Sequence, residues 1–337
     1  MRLMGRIGIA LALLILIMDS KYALESASAG VDLVIHTVIP ALFPFFVLSG
    51  LLTSIFENGI VLSGLLGGYP VGAQAISQAY SDGRISKEQA KRLLPVCNQC
   101  GPAFIFGMAG VLFKDVRICF ALWGVQILSS MVTAWIIGGG KPSPPASSGS
   151  AFPSPAALMR KSITALSSVC GWIIIFRMIY GFLERWILWV LPQTLQAGIC
   201  GLLELANGCS ALSKISDTTL QFQLCAITMS FGGICVMMQV FSVCHPDISK
   251  SYYFPGKVLQ SAICGLLVAL LLRKFTVFTG ILVMIGTICV IIFRIQKKTV
   301  AFPSKRVYNS AINDTRILPC SLEKRFPAPA HTAHEAP

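Results

Sequence analysis

Five polar side chains lie within otherwise apolar stretches of this sequence, where they could bind a small polar solute or an ion. They are Asn98, Gln99, Glu204, Asn207 and Gln239. A charge at membrane depth costs about 2.5 to 3.5 kcal/mol, so Glu204 is expected at a paired or hydrated position. Beside the Asn207 amide, its carboxylate could hold a coupling ion or a substrate. A glutamate at the water-exposed mouth of a hairpin fits the same pattern, and both interpretations stay open.

Asn98 and Gln99 lie in a stretch that no helix can continue through, Cys97-Asn98-Gln99-Cys100-Gly101-Pro102. At such a break, unwound backbone and helix ends can receive an ion or a polar solute. Alternatively, the two amides only satisfy the hydrogen bonds of the broken helix itself. Arg177 has two readings as well, a counter-ion for Glu204 or a side chain that extends to the outer surface.

Cys97 and Cys100 form a Cys-x-x-Cys pair, which could be half of a metal or redox site. The sequence has no second such pair, no nearby His and no thioredoxin-like βαβ context. It also contains no nucleophile triad, P-loop or dinucleotide fingerprint. We therefore predict no metal, no cofactor and no enzymatic activity.

The composition predicts an all-α protein of the membrane, a polytopic helical bundle. Of the 337 residues, 55% are hydrophobic and only 12% are charged, against about 25% charged residues in ordinary soluble domains. The formal net charge of +13 comes from Lys and Arg that fall between apolar runs and in the C-terminal tail, where they orient membrane spans. The lipid bilayer is therefore the expected partner, and nucleic acid is not expected.

Apolar runs predict membrane spans along most of the chain. The predicted spans are 7–18, which is a retained span or a signal peptide, and 38–55, 118–137, 163–183, 258–272 and 276–293. Pro40 and Pro44 predict a kink in the second of these spans, because proline cannot donate the helical hydrogen bond.

Two further apolar segments in each half are interrupted by glycine and proline. They are 59–80 and 93–113 in the first half, and 187–215 and 220–243 in the second. The predicted backbone breaks are at Gly68, Pro70, Gly72, Gly101, Pro102, Gly208, Gly232 and Gly233. Interrupted segments that recur in both halves of a membrane protein indicate the binding site of a transporter.

A linker rich in Gly, Pro and Ser separates the two halves. We predict a first membrane repeat at 1–137, the linker at 138–155, a second repeat at 156–295, and a basic, disordered tail at 296–337. Basic residues place the turn 81–92 and the linker in the cytoplasm. The first interrupted segment of each half, 59–80 or 187–215, is called its arm. The two arms then enter the membrane from opposite sides, which makes the halves inverted repeats and leaves both termini cytoplasmic.

Several motifs resemble a known family. They are Pro40-Ala41-Leu42-Phe43-Pro44-Phe45, Gly68-Tyr69-Pro70-Val71-Gly72, Cys97-Asn98 before Gly101-Pro102-Ala103-Phe104-Ile105, Gly171 with Phe176, Glu204 with Asn207-Gly208, and Gly232-Gly233 with Gln239. In this order they resemble the nucleoside-recognition (Gate) domain family, in its sporulation integral membrane protein (YlbJ-type) branch, over roughly residues 5–295. The resemblance implies a cell-membrane protein of spore-forming bacteria, linked to sporulation, with a fold similar to concentrative nucleoside transporters.

Two functions are compatible with these features. In the first, a small polar solute or ion binds at mid-membrane between the interrupted arms, and one repeat moves against the other. In the second, the scaffold transports nothing and serves as an assembly or signalling protein for sporulation, so that the turn 81–92 or the tail carries the function.

Overall fold

The computed structural model describes residues 13–55, 59–138, 154–273 and 284–290, together with positions 6 and 10. These residues lie in one compact unit, Met1–Ile291. The linker residues 139–153, the tail, part of the first predicted span and most of the last one lie outside the described residues.

The regular elements of the described ranges are all helical, as the composition predicts. The α-helices are α1 (Ser20–Leu33), α2 (Ile39–Ile55), α3 (Gly59–Gly67), α4 (Val71–Ser81), α5 (Lys87–Val96), α6 (Pro102–Phe113), α7 (Val116–Ile137), α8 (Pro155–Trp186), α9 (Gln193–Leu203), α10 (Leu205–Ala211), α11 (Thr218–Phe231), α12 (Gly233–Val243) and α13 (Tyr253–Leu272). A π-helical segment, Val34–Val38, joins α1 to α2, and short 3₁₀ turns lie at Leu188–Val190 and Leu212–Lys214.

Four stretches of the described chain are long and apolar enough to cross a membrane: α7, α8, α13 and the α11–α12 pair, Thr218–Val243. The bent stretch from Ser20 to Leu52 adds a fifth if it is counted as one span. The helix α13 begins at Tyr253, five residues before the predicted span at 258–272. This difference is functionally important, because it brings Lys257 inside the helix.

The first bend of the chain lies where the prolines predict it. Ser20–Val38 and Leu42–Leu52 are bent by 50° relative to each other. Pro40 lies between these two stretches and Pro44 lies inside α2. Each proline removes one helical hydrogen bond and clashes with the preceding turn, so the predicted kink is confirmed.

The first half contains two broken helices. The residues Gly68, Tyr69 and Pro70 separate α3 from α4. A turn then leads to α5, which opens with a capping box: Ser86 Oγ accepts from Gln89 N, and Gln89 Oε1 accepts from Ser86 N. The residues Cys97–Gly101, which we call the first-half break, separate α5 from α6, and Pro102 takes the first helical position of α6.

The second half repeats this order of arm and broken span. Glu204 alone separates α9 from α10, and we call it the second-half break. Gly232 separates α11 from α12 with a φ of +86°. Glycine is required there, because a left-handed backbone is costly for residues that carry a Cβ.

Gly72 and Gly208 were predicted as backbone breaks, and both predictions are wrong. Gly72 lies in the first turn of α4, and Gly208 lies within α10. Both positions need glycine for space: a Cβ on Gly72 would lie 1.8 Å from the carbonyl oxygen of Cys97, and one on Gly208 would lie 2.3 Å from Cα of Gly201. The two glycines therefore let each arm approach the backbone of its own half.

The two halves are joined at their broken helices. The Tyr69 hydroxyl donates to the carbonyl oxygens of Met229, at 2.6 Å, and Ser230, at 3.3 Å, near the end of α11. Ser77 of α4 contacts the end of α12 in the same manner, since its hydroxyl donates to the Val243 carbonyl oxygen and accepts from His245 N. The first arm is therefore held against the broken span of the second half.

Candidate functional site

A cavity of about 290 Å³ lies between the two halves, and we call it the central cavity. The first half contributes Tyr69, Gly101 and Phe104 to its wall, and the second half contributes Glu204 and Gln239. Most of the remaining lining residues are apolar and come from α1, α2, α6, α8, α10 and α12. An apolar wall with a few converging polar groups is the usual form of a site for a small molecule.

Glu204 lies at the second-half break, and its carboxylate caps α10. Its Oε1 accepts from Ala206 N at 3.0 Å, and its Oε2 accepts from Asn207 N at 2.7 Å. The residue is 6% exposed and lies on the cavity wall. A buried carboxylate at the start of a helix is stabilised by the N–H groups that no other backbone group can satisfy. The structure therefore gives Glu204 a polar anchor and access to the cavity.

Asn207 orients this carboxylate. Its Nδ2 donates to Glu204 Oε2 at 2.8 Å, and it is not among the residues that line the central cavity. Gln239 approaches the cavity from α12, is 5% exposed, and donates from Nε2 to Cys235 Sγ at 3.2 Å. Of the five candidate side chains, Glu204 and Gln239 are the pair that the fold brings to one cavity.

Asn98 lies at the first-half break, and both the nitrogen and the oxygen of its side-chain amide form hydrogen bonds with backbone groups. Its Nδ2 donates to the Leu94 carbonyl oxygen at 2.7 Å, and its Oδ1 accepts from Ala73 N at 3.0 Å. The side chain is fully buried and lies outside the cavity lining. The sequence left two roles open, solute binding and hydrogen bonding to the backbone of the broken helix. This geometry fits the second role.

Gln99 is buried next to Asn98, and its Oε1 has no hydrogen-bond partner among the described residues. It does not line the central cavity either. Adjacent amides at one break thus have different environments, because the unwound backbone turns them toward different neighbours.

Sequence reasoning missed Lys257. The predicted span at 258–272 leaves this residue just outside, but Lys257 is 1% exposed inside α13. Its Nζ lies 2.8 Å from the Asn98 carbonyl oxygen and 2.6 Å from Gln260 Oε1. The signal was present in the sequence, since an ionisable residue within an apolar helix is by default a functional candidate.

The other chemistry-bearing residues do not extend the site into a metal centre. Cys97 and Cys100 are buried free thiols, and Cys100 contributes to the cavity wall. Among the described residues, no group of three His, Cys, Asp or Glu side chains could hold a metal ion. Arg177 lies over the Tyr180 ring, 5.3 Å from its centroid, and forms no ion pair with Glu204 in the described part of the chain.

The helices and the cavity together define a helical membrane protein with broken helices around an internal cavity. The chain is similar to the sporulation integral membrane protein YlbJ of Bacillus subtilis (strain 168), with 28% identity over 130 residues. The match covers 32% of this chain and 32% of that relative, so the chain spans about a third of its length in the alignment. No family model matches the chain, and no solved structure matches it.

The match supports the sporulation branch of the resemblance described above. The wider nucleoside-recognition (Gate) family and the similarity to concentrative nucleoside transporters stay predictions.

Proposed function

We propose that this chain is an integral protein of a bacterial cell membrane that binds a small polar solute in the central cavity and moves it across the bilayer. The observation that carries the proposal is the position of the cavity between the broken helices of both halves, with Glu204 on its wall. Broken helices at such a cavity are the usual setting of substrate and ion sites in transporters.

The proposal includes the predicted inverted repeats, with both termini cytoplasmic and a Gate-type fold similar to concentrative nucleoside transporters. Two pieces of evidence support it. Each half contains an arm and a broken span in the same order, and the Tyr69 hydroxyl of the first half donates to the Met229 carbonyl oxygen of the second. The name of the similar protein supports a role in sporulation. We propose no enzymatic activity and no cofactor.

The cavity wall favours one kind of solute. Glu204 supplies carboxylate oxygens and Gln239 supplies an amide, while most of the surrounding side chains are apolar. A small solute with hydrogen-bond donors or a positive charge fits this wall, since a buried carboxylate accepts strong, charge-assisted hydrogen bonds. The solute must also have an apolar body, because the cavity offers few other polar partners.

Ligand-induced stabilisation of the purified protein tests this proposal. A ligand that binds only the folded state raises the apparent unfolding temperature by mass action. The full chain in detergent would be heated with nucleosides, nucleobases, small amines, small carboxylates and inorganic ions in turn. We expect a reproducible shift for at least one solute with donors or a positive charge, and loss of that shift in Glu204→Gln.

Glu184→Gln is the matched control, because Glu184 is an exposed carboxylate on α8. This variant should keep the full shift. If no solute of the panel stabilises the wild type, or if Glu204→Gln is stabilised as strongly as wild type, binding at the cavity is wrong.

The hydrogen bonds that Glu204 already makes to α10 favour a second candidate function, assembly or signalling during sporulation without transport. In that case Glu204→Gln should leave sporulation efficiency unchanged, while removal of residues 299–337 or of the charges in the turn 81–92 should reduce it. Spore counts from strains that carry each variant at equal protein level separate the two functions.

A further inference from the structure

The buried ammonium of Lys257 lies at the first-half break. The close approach of α13 to α5 brings it there: a Cβ on Gly256 would lie 2.6 Å from Cβ of Pro95. From this contact the Lys257 side chain extends to the Asn98 carbonyl oxygen and to Gln260 Oε1, at 2.8 and 2.6 Å. Its Nζ also lies 5.1 Å from the centroid of the Tyr69 ring.

The three neighbours of the Lys257 nitrogen named above are electron donors toward a cation. A backbone carbonyl and an amide oxygen accept hydrogen bonds, and the face of an aromatic ring attracts positive charge. The break also follows the C-terminus of α5, where the helix dipole is negative. In the described part of the chain, Lys257 forms no ion pair with a carboxylate. The charge is therefore balanced by dipoles.

These neighbours are of the kind that bind a monovalent metal ion. Unwound carbonyl groups and the C-terminal ends of half-helices coordinate Na⁺ in membrane proteins with broken helices. We propose that the Lys257 ammonium is a tethered cation that occupies a monovalent-cation site at the first-half break. The protein then needs no Na⁺ or K⁺ at this position, and shortening the side chain creates a site for a small free cation.

The side-chain atoms that Lys257→Ala removes determine which small molecule can replace them in an experiment. Lys257→Ala deletes the propylammonium part of the side chain and leaves the Asn98 carbonyl, the Gln260 amide oxygen and the Tyr69 ring in place. Free n-propylammonium restores those atoms, whereas n-propanol restores nearly the same volume without the charge. Lys257→Met fills the space with a neutral side chain, so this variant has a cation deficit and no room for a replacement.

The experiment measures the apparent unfolding temperature of the full chain, purified in detergent with each probe present throughout. The wild type should unfold within about 1 °C in NaCl, KCl and choline chloride at equal ionic strength. We expect Lys257→Ala and Lys257→Met to unfold lower by about 5 °C or more. Addition of n-propylammonium chloride should recover at least half of this loss in Lys257→Ala and none in Lys257→Met, and n-propanol should recover neither.

Three results would overturn the proposal. The first is specific stabilisation of the wild type by Na⁺ or K⁺ over choline. The second is a Lys257→Met variant as stable as wild type. The third is a folded Lys257→Ala variant that neither propylammonium nor a small metal cation stabilises. If Lys257→Ala cannot be purified, the wild-type salt series and Lys257→Met still decide, and none of these measurements depends on transport.

Discussion

The first-half and second-half breaks both interrupt a helix in apolar surroundings, but they differ in where their polar side chains lie. At the first-half break, Asn98 pairs with backbone groups of α4 and α5, and Lys257 pairs with its carbonyl oxygen, so the side-chain amide and the carbonyl group of Asn98 both have partners within the protein. At the second-half break, Glu204 caps α10 and remains on the wall of the central cavity. The two helix interruptions therefore present different groups to the central cavity: the first-half break contributes Cys100 and Gly101 but neither of its amides, whereas the second-half break contributes a carboxylate.

The largest effect expected from this comparison is at Gly72. Its Cβ position is 1.8 Å from the Cys97 carbonyl oxygen, a backbone atom that cannot move without opening the first-half break. Gly72→Ala should therefore cost more than about 4 kcal/mol or abolish folding, as expected for overpacking against buried backbone. The unfolding temperature and the yield of monodisperse protein in detergent measure the loss.

Gly107→Ala is the matched control for this effect. A Cβ there meets no atom within 4 Å in the middle of α6, so alanine should stabilise the helix by about 0.5 to 1 kcal/mol. A Gly72→Ala variant as stable as Gly107→Ala would show that α4 does not lie against the first-half break.

The next largest effect is expected at Asn98. Asn98→Leu keeps a similar volume but leaves Leu94 O and Ala73 N without their side-chain partner. Each unsatisfied buried backbone group costs about 1 to 3 kcal/mol, so the variant should lose about 2 to 4 kcal/mol of unfolding free energy. Thermal unfolding in detergent tests this, and a loss below about 1 kcal/mol would mean that the Asn98 amide does not stabilise the backbone at the break.

A smaller effect is expected at the contact between the halves. Tyr69→Phe removes the hydroxyl that lies 2.6 Å from the Met229 carbonyl oxygen and keeps the ring beside Lys257. We expect a loss of about 1 to 2 kcal/mol, since one buried carbonyl loses its side-chain partner. Tyr80→Phe, a change to a tyrosine that lies against His245 by its ring, is the control and should cost less. Equal losses in the two variants would contradict a specific role for the Tyr69 hydroxyl.

The smallest effect is expected next to Asn98 in the same break. Gln99→Met replaces a buried amide whose oxygen has no partner among the described residues by an apolar side chain of similar length. The change should cost less than about 1 kcal/mol and can raise stability, because it removes an unpaired buried polar atom. Measurement of Gln99→Met and Asn98→Leu in one unfolding series compares how much the two amides contribute to the unfolding free energy.

Local backbone features of this fold could be predicted from the sequence. The bend near Pro40 and the capping box at Ser86 follow from short-range steric and hydrogen-bond rules, which do not depend on the rest of the chain. The interruption at Gly232 belongs to the same class, since a left-handed residue at a helix end is most often glycine.

The roles of individual polar residues depend on which helices contact each other in the folded protein. These contacts could not be predicted from the sequence. Gly72 has the same local signal as Gly68, but Gly68 has a φ of +71° while Gly72 is helical and makes room for a carbonyl. Lys257 falls one residue outside the predicted span at 258–272, where a basic residue is typical of the end of a span. Two of its partners, the Asn98 carbonyl oxygen at the first-half break and the Tyr69 ring, lie far earlier in the chain, 159 residues earlier in the case of Asn98.

If a solute binds in the central cavity beside the second-half break, a side chain that fills the cavity must prevent binding. Gly107 lines the cavity and its Cβ position meets no atom within 4 Å, so we expect Gly107→Phe to place a ring at the cavity wall without a clash at its Cβ. Gly124 on α7 has the same free space and does not line the cavity, which makes Gly124→Phe the matched control. The measurement is the shift of unfolding temperature by the solute that stabilises the wild type most. We expect Gly107→Phe to abolish the shift and Gly124→Phe to retain it. Equal shifts in both variants would show that the ligand binds outside the central cavity.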